Sequence, residues 1–336
     1  MDDDTILLAH GGGGSLMRHL IENLIVPGFA NPALSPLEDS AVLEVEGLRV
    51  AMTTDSYVVS PLFFPGGDIG TLAVCGTVND LAVSGARPLY LTLSLVVEEG
   101  FPKKTLKEVL DSAAGTARTA GVCIVTGDTK VVERGKADGL FVNTAGLGIL
   151  REGVHLSLTS VRPGAAVLIN GPIGDHGIAV LSCREGLEFD TPVRSDVAPL
   201  ADLVERVLAA CPKVQAMKDP TRGGLAAALN EVATASGVSI RVRERDIPVR
   251  DGVRGACDLF GFDPLYVANE GKLTVFCPQE HTGRVLDAMR GHPLGKEAAV
   301  IGEVVDGSPA RVLLETRVGG LRIVDMPYGE QLPRIC

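Results

Sequence analysis

The chain has no tryptophan, and four tyrosines and nine phenylalanines leave aromatic residues at 4% of its 336 positions. Few stacking rings and a net charge of −11 exclude the basic stripe and aromatic platform of a nucleic-acid binder. No apolar run approaches the ~18 residues of a membrane span, so no membrane partner is expected. The start, Met1-Asp2-Asp3-Asp4, is acidic where a secretory leader is basic, so a soluble cytoplasmic protein is expected. The seven cysteines, at 75, 123, 183, 211, 257, 277 and 336, include no CxxC pair. Neither a disulfide framework nor a zinc site follows from such spacing, and internal ones such as Cys123 read as small buried hydrophobes.

What the chain does have is 46% hydrophobic residues, 22% charged residues and 40 glycines, a globular α/β composition rich in backbone-dominated turns. Its length predicts about two domains with a substantial core. In the first half the pattern predicts a hairpin over 41–54, a helix over 71–85 and a strand over 89–97. An amphipathic helix over 103–120 follows, then a strand over 122–126 that stops at Gly127-Asp128, and a strand over 140–150. Arg162-Pro163-Gly164 reads as a linker. Beyond it come strands over 166–169, 238–242, 272–276 and 298–304, helices over 200–210, 225–235 and 281–290, and a hairpin over 311–324. This order is not a clean βαβ alternation, so antiparallel or mixed α+β sheets are expected in place of a doubly wound one. The expected units are 1–158, 159–308, and a terminal hairpin and tail over 309–336.

Several segments carry residue types suited to phosphate and metal chemistry. His10-Gly11-Gly12-Gly13-Gly14-Ser15 offers consecutive backbone amides to an anion. No Gly-Lys-Ser/Thr follows, so it is not a Walker A loop, and a plain N-terminal linker is the alternative. Asp39, Asp55, Asp80 and Asp128 lie at strand ends, in a helix and at a Gly-rich turn. Carboxylates so placed can converge on one rim and supply the hard oxygens that Mg²⁺ bridging phosphates requires; each alone is also an ordinary cap or turn residue. Lys130, in Gly127-Asp128-Thr129-Lys130, is a phosphate clamp or a solvated surface lysine. The Gly-rich helix entries at 171–177 and 219–224 are places where phosphate can rest, although the first has GxxGxxG spacing and not the dinucleotide fingerprint. Asn269-Glu270-Gly271-Lys272, on its residues alone, is a turn.

Cys336 ends the sequence. Pro333 fixes its own φ and disfavours helix at Leu332, so a flexible, extended arm is expected. Arg334 sets a cation beside the α-carboxylate, or grips an anion in a receiving pocket. The position is not a prenylation signal, which places Cys fourth from the end. A cysteine that merely happens to come last is the plain alternative.

Taken together, the His10 glycine run, Thr54-Asp55-Ser56-Tyr57, Thr77-Val78-Asn79-Asp80-Leu81-Ala82, Gly127-Asp128-Thr129-Lys130-Val131, residues 219–224, Asn269-Glu270-Gly271-Lys272 and the ending Pro333-Arg334-Ile335-Cys336 resemble the HypE hydrogenase maturation factors. The likeness spans about residue 7 to 336. It implies a two-domain architecture of the aminoimidazole ribonucleotide synthetase type and a homodimer whose N-terminal domains share a β-barrel. ATP and Mg²⁺ would lie between that barrel and the Gly-rich start, giving 1–158 the ATP-binding and dimerisation role. The resemblance further implies that Cys336 receives a carbamoyl group from the carbamoyltransferase HypF. ATP-dependent dehydration would then give a thiocyanate, whose cyano group passes through a HypC–HypD complex to the iron of [NiFe]-hydrogenase. On this basis Asp39, Asp55, Asp80 and Asp128 are metal candidates, and Gly11, Gly12, Gly13, Gly14 and Gly127, with Asp55, Asp80, Asp128 and Lys130, are nucleotide contacts. Lys130 is also a catalytic candidate, and Glu270 and His10 compete for the base. A selenophosphate synthetase-like enzyme fits less well, because no cysteine precedes Cys75. From a different class, a nucleotide-binding scaffold remains the other alternative.

Overall fold

The computed structural model describes residues 5–187, 193–307, 309–329, 332 and 334–336. Apolar alternation builds its first sheet. In β2 (Leu48–Tyr57) the odd-numbered Ala51, Thr53, Asp55 and Tyr57 turn toward a helix, while Met52, Thr54 and Ser56 are exposed. That strand lies between β1 (Ala41–Val45) and β7 (Leu140–Leu150), and β5 (Ala86–Glu98) and β6 (Cys123–Val132) complete the order β1-β2-β7-β5-β6. All neighbours are antiparallel except β5 and β6, whose parallel pairing needs a crossover, here α4 (Lys103–Ala120).

One face of this sheet is covered by α3 (Ile69–Val83), which is buried at 13 of its 15 residues. A helix apolar all round belongs inside, and α3 packs on β2, β5 and β7 with α4 outside it. Asp68 caps it by accepting the Gly70 and Thr71 amides at 2.7 and 3.0 Å. The other face and the β6 edge carry Met52, Tyr90, Leu147, Val125 and Val131 in the open. The strand expected to stop at Gly127 continues to Val132. Cys123, expected inside, is exposed at its start.

Before the sheet come α1 (Gly14–Leu20) and α2 (Val26–Phe29), joined by a π-helical turn at Ile21–Ile25. A short ribbon, β3 (Phe63–Phe64) with β4 (Gly67–Asp68), precedes α3.

The second sheet runs β14-β13-β10-β12-β8-β11-β9. Its strands are β8 (Ala165–Ile169), β9 (Ala216–Lys218), β10 (Ser239–Arg243), β11 (Thr274–Pro278), β12 (Ala299–Val305), β13 (Val312–Glu315) and β14 (Leu321–Val324). The central β8 is an unbroken apolar run because both faces are covered. Ala165, Val167 and Ile169 enter the core under α7 (Gly224–Ser236). Ala166 and Leu168 enter the one under α6 (Ala201–Ala210) and α9 (Thr282–Arg290). Two further helices, α5 (Asp175–Glu185) and α8 (Asp251–Phe260), pack with α3 and β7 in a core shared by both halves. The hairpin expected with the tail, β13–β14, is the edge pair of this sheet. Both halves are mixed, as their irregular strand order led us to expect.

Candidate active site

Three carboxylates meet where α3 faces the second sheet. Asp39 precedes β1, Asp80 lies in α3 and Asp219 follows β9; one oxygen from each falls within 4.8 Å of the others. Thr53, on the inward face of β2, ties two of them: its hydroxyl lies 2.8 Å from the Asp39 carbonyl and 2.9 Å from Asp80 Oδ2. The neighbouring Asn79 is buried and joins the halves, accepting the Leu200 amide at 2.8 Å and donating to the carbonyls of Ala198 and Glu270. One cation, Lys218, pairs with Asp39 and with Glu231 at 3.2 Å. Burial opposes its charge, but Asp39, Glu231 and Asp219 outweigh that and hold the ammonium well above its usual range.

A single lysine does not neutralise the group. Burial and then Asp55 push the Asp80 carboxyl well above the carboxylate range; burial and then Asp39 push Asp219 up to about 7. Hard oxygen donors that repel one another in a half-buried pocket fit a divalent cation such as Mg²⁺, whose charge would relieve that repulsion. Asp219 was visible in the sequence only as part of a Gly-rich helix entry. Its place in the group comes from β9, a three-residue strand with little periodicity to read. Asp55 stands close by, accepting the Tyr57 hydroxyl at 3.2 Å, but outside the three-acid group.

Glu270 is 3% exposed, and burial, then Asp219, pushes its carboxyl far up. Arg222 faces it. Its guanidinium is held in the charged form chiefly by Cys336, and further by Asp55, Glu270 and Asp80. The glycine run closes over this arginine. Gly11 accepts from Arg222 at 3.4 Å, and a Cβ on Gly13 (φ +76) would stand 3.2 Å from the Arg222 Cβ. Gly14, at φ +78, sits so close to Pro327 that a Cβ there would lie 2.1 Å from its carbonyl oxygen. Ser15 and Leu16 then donate to the carbonyls of Pro327 and Tyr328. Gly12 lines a small cavity with Arg222, Ala268, Leu332 and Ile335. His10, by contrast, takes the Leu7 amide on Nδ1 at 2.9 Å within its own turn.

The tail is seated against the body, not extended. Leu332 and Ile335 are buried in the shared core, and Arg334 adopts a left-handed φ of 54°. Val58 and Ser60 donate to the carbonyls of Cys336 and Arg334 at 3.0 and 3.2 Å. Arg334 grips a carboxylate of the protein itself, Asp138, and donates to the Val58 carbonyl at 3.0 Å. Arg184 spans the Ser60 and Arg334 carbonyls.

Asp128 and Lys130 are not drawn into this group. They lie mid-strand on the exposed β6 and pair with each other at 2.6 Å; the Lys130 hydrogen bond holds the Asp128 carboxyl below its usual range. Gly127, beside them, packs on the Leu93 carbonyl, which a Cβ would meet at 2.0 Å.

Residues 37–150 match the family of AIR synthase related protein, N-terminal domain, and residues 162–315 match AIR synthase related protein, C-terminal domain. The chain is 53% identical over 332 residues to the carbamoyl dehydratase HypE of Azotobacter vinelandii, covering 99% of this chain and 97% of that one. Among solved structures, hydrogenase maturation protein HypE in complex with ATP superposes with a TM-score of 0.84 at 47% identity, over 99% of this chain and 100% of the other. A HypE–HypF complex gives 0.88 at 48% identity, over 92% and 99%. No helix among the described residues is long and apolar enough to cross a membrane.

Proposed function

The chain belongs to the HypE family of AIR synthase related proteins, and on that premise we propose that it removes water from a carboxamide carried on its own Cys336, with ATP as the driving substrate. One observation carries the reading: the seated tail lines one small cavity with Arg222, through Leu332 and Ile335, and the charge of Cys336 is the largest influence on that guanidinium, ahead of Asp55, Glu270 and Asp80. The last residue is thus a half-buried end held at the rim of the site and packed on the shared core, not a free surface end.

The chemistry asks for what those residues offer. An amide oxygen is a poor leaving group. Transfer of the γ-phosphoryl group from ATP to that oxygen releases ADP and one N–H proton. Loss of the second N–H proton then expels phosphate and leaves S–C≡N. Glu270 is our candidate for the group that takes a nitrogen proton: burial makes its carboxylate a stronger base, and Arg222 favours that ionised form. Arg222 acts on the tail end by charge, and the glycine run is folded onto Arg222 and Pro327 beside it. Asp39, Asp80 and Asp219 would hold Mg²⁺, with Asp55 adjacent; the ion supplies charge neutralisation to the phosphates when bound.

Asp128 and Lys130 reach a site only by way of the β6 edge, so we assign them to a homodimer in which two such edges close a shared barrel. Carbamoyl transfer from HypF, delivery of cyanide to a HypC–HypD complex and a cytoplasmic setting complete the reading.

Intact-protein mass spectrometry tests it. With ATP, Mg²⁺ and a carbamoyl-donor system, Cys336 should gain a carboxamide and then lose water. A carboxamide that forms and persists under these conditions sinks the dehydratase assignment.

A further inference from the structure

We propose that His176 is the positioning residue that seats the tail: its buried Nε2–H holds the carbonyl of Ile335, the peptide link to Cys336, and so fixes where the thiol sits. His176, at the start of α5, has no exposed surface, and both ring nitrogens are in use. Nε2 lies 2.8 Å from the Ile335 carbonyl oxygen and Nδ1 lies 2.8 Å from Ser195 Oγ. A carbonyl only accepts, so Nε2 carries a proton; burial disfavours a second one on the ring, and Nδ1 then accepts from the Ser195 hydroxyl. Ser195 Oγ in turn accepts the Val197 amide at 3.1 Å, which aims its own proton at the ring. Phe64 meets the imidazole edge-on, with centroids 5.3 Å apart and planes at 90°. Ser195 and Phe64, both outside the tail, thus help to set the tautomer and the ring plane that meet it.

The loop that prepares His176 also prepares Glu270. Asp196, beside Ser195, accepts the amides of Glu270 and Gly271 at 3.2 and 3.1 Å and pairs with Lys272 at 2.9 Å, with both side chains buried. One three-residue segment thus places the tail's receptor on one side and the backbone of the candidate base on the other. Tail placement and base placement share a frame, and His176 is the part of it that reads the tail. The consequence for catalysis rests on the dehydratase reading; the seating itself does not.

The test is pulsed alkylation of the full-length protein by iodoacetamide without ATP, followed by peptide masses at each cysteine. His176→Leu should expose Cys336 to alkylation about tenfold faster, the loss of roughly one buried hydrogen bond, with Cys123 unchanged as internal reference. His176→Gln, which keeps an N–H donor at the same reach, should stay within about twofold of wild type. A wild-type rate at Cys336 in a folded His176→Leu protein overturns the assignment, as does equal acceleration in the Gln variant. Should the Leu variant fail to fold, Ser195→Ala serves: it removes the partner that fixes the tautomer, and an unchanged Cys336 rate there is equally fatal. A protein that protects Cys336 through His176 yet never dehydrates its carboxamide refutes the function and leaves the seating intact.

Discussion

At the scale of single residues, the site is a set of acids whose environment works against their charge. Asp219 titrates near 7 in the folded chain against ~3.9 unfolded, so between those values the folded state binds the extra proton. Stability must then fall as pH rises through about 4 to 7. Scanning calorimetry of the metal-free protein should show Tm lower at pH 7.5 than at pH 5 by roughly 2–5 °C. Asp219→Asn should make that slope shallower, and Mg²⁺ at pH 7.5 should raise Tm in wild type but not in the variant. Equal slopes in both would remove Asp219 from the group. Glu270 and His10 part company here too. Glu270 is buried within reach of the charges of Asp219 and Arg222, whereas His10 is bonded into its own turn. Glu270→Gln should slow water loss from the Cys336 carboxamide by ~10²–10⁴ and His10→Ala should leave it nearly unchanged; the reverse order would hand the base's role to His10.

At the scale of elements, legibility followed the range of the interactions. Helices α3, α4, α6, α7 and α9 were readable because 3.6-residue periodicity or an all-apolar run is a local signal. The β6 strand was cut short in the sequence reading, since Gly127-Asp128 looks like a stop; Gly127 instead lets the chain pass against the Leu93 carbonyl on β5. The tail is illegible locally for the same reason. Pro333 argues for extension locally, but Val58, Ser60, His176 and Arg184 hold its carbonyls from more than 140 residues away. Asp219 and Arg222 were seen as a motif and missed as a site, because only the sheet brings them to Asp80 and Cys336. Close approach between elements supplies another test. A Cβ on Gly271 would stand 1.9 Å from the Asp196 carbonyl oxygen, so Gly271→Ala must displace the 195–197 loop. The cost should be about 1–3 kcal/mol, seen as a lower urea midpoint together with faster alkylation of Cys336. A loss of stability without a change at Cys336 would separate the loop from the tail.

At the scale of the molecule, the first sheet is covered on one face and, among the described residues, bare on the other. Met52, Tyr90 and Leu147 lie on open strands, and Val125 and Val131 lie on an unpaired edge. Edges of this kind are protected by pairing or they aggregate. Sedimentation should find the wild-type chain at twice its mass, and Val125→Asp with Val131→Asp should return it to the monomer with Asp128 and Lys130 left in solvent. A monomeric wild type would confine the site to the acids and Arg222 of one chain.

The seat of the tail, finally, has a kinetic meaning. Cys336 is bound to its receptor by the chain itself, so its local concentration is set by the fold and not by the experimenter. While the proposed dimer holds, dilution should leave the dehydration rate per loaded chain unchanged, and the carboxamide should show no saturation curve of its own, unlike ATP and Mg²⁺. Each chain completes one event and then waits for its handle to be emptied and charged again. On that reading Ile335 and Leu332, buried in the shared core, must leave it between events, a motion that belongs to folding as much as to catalysis.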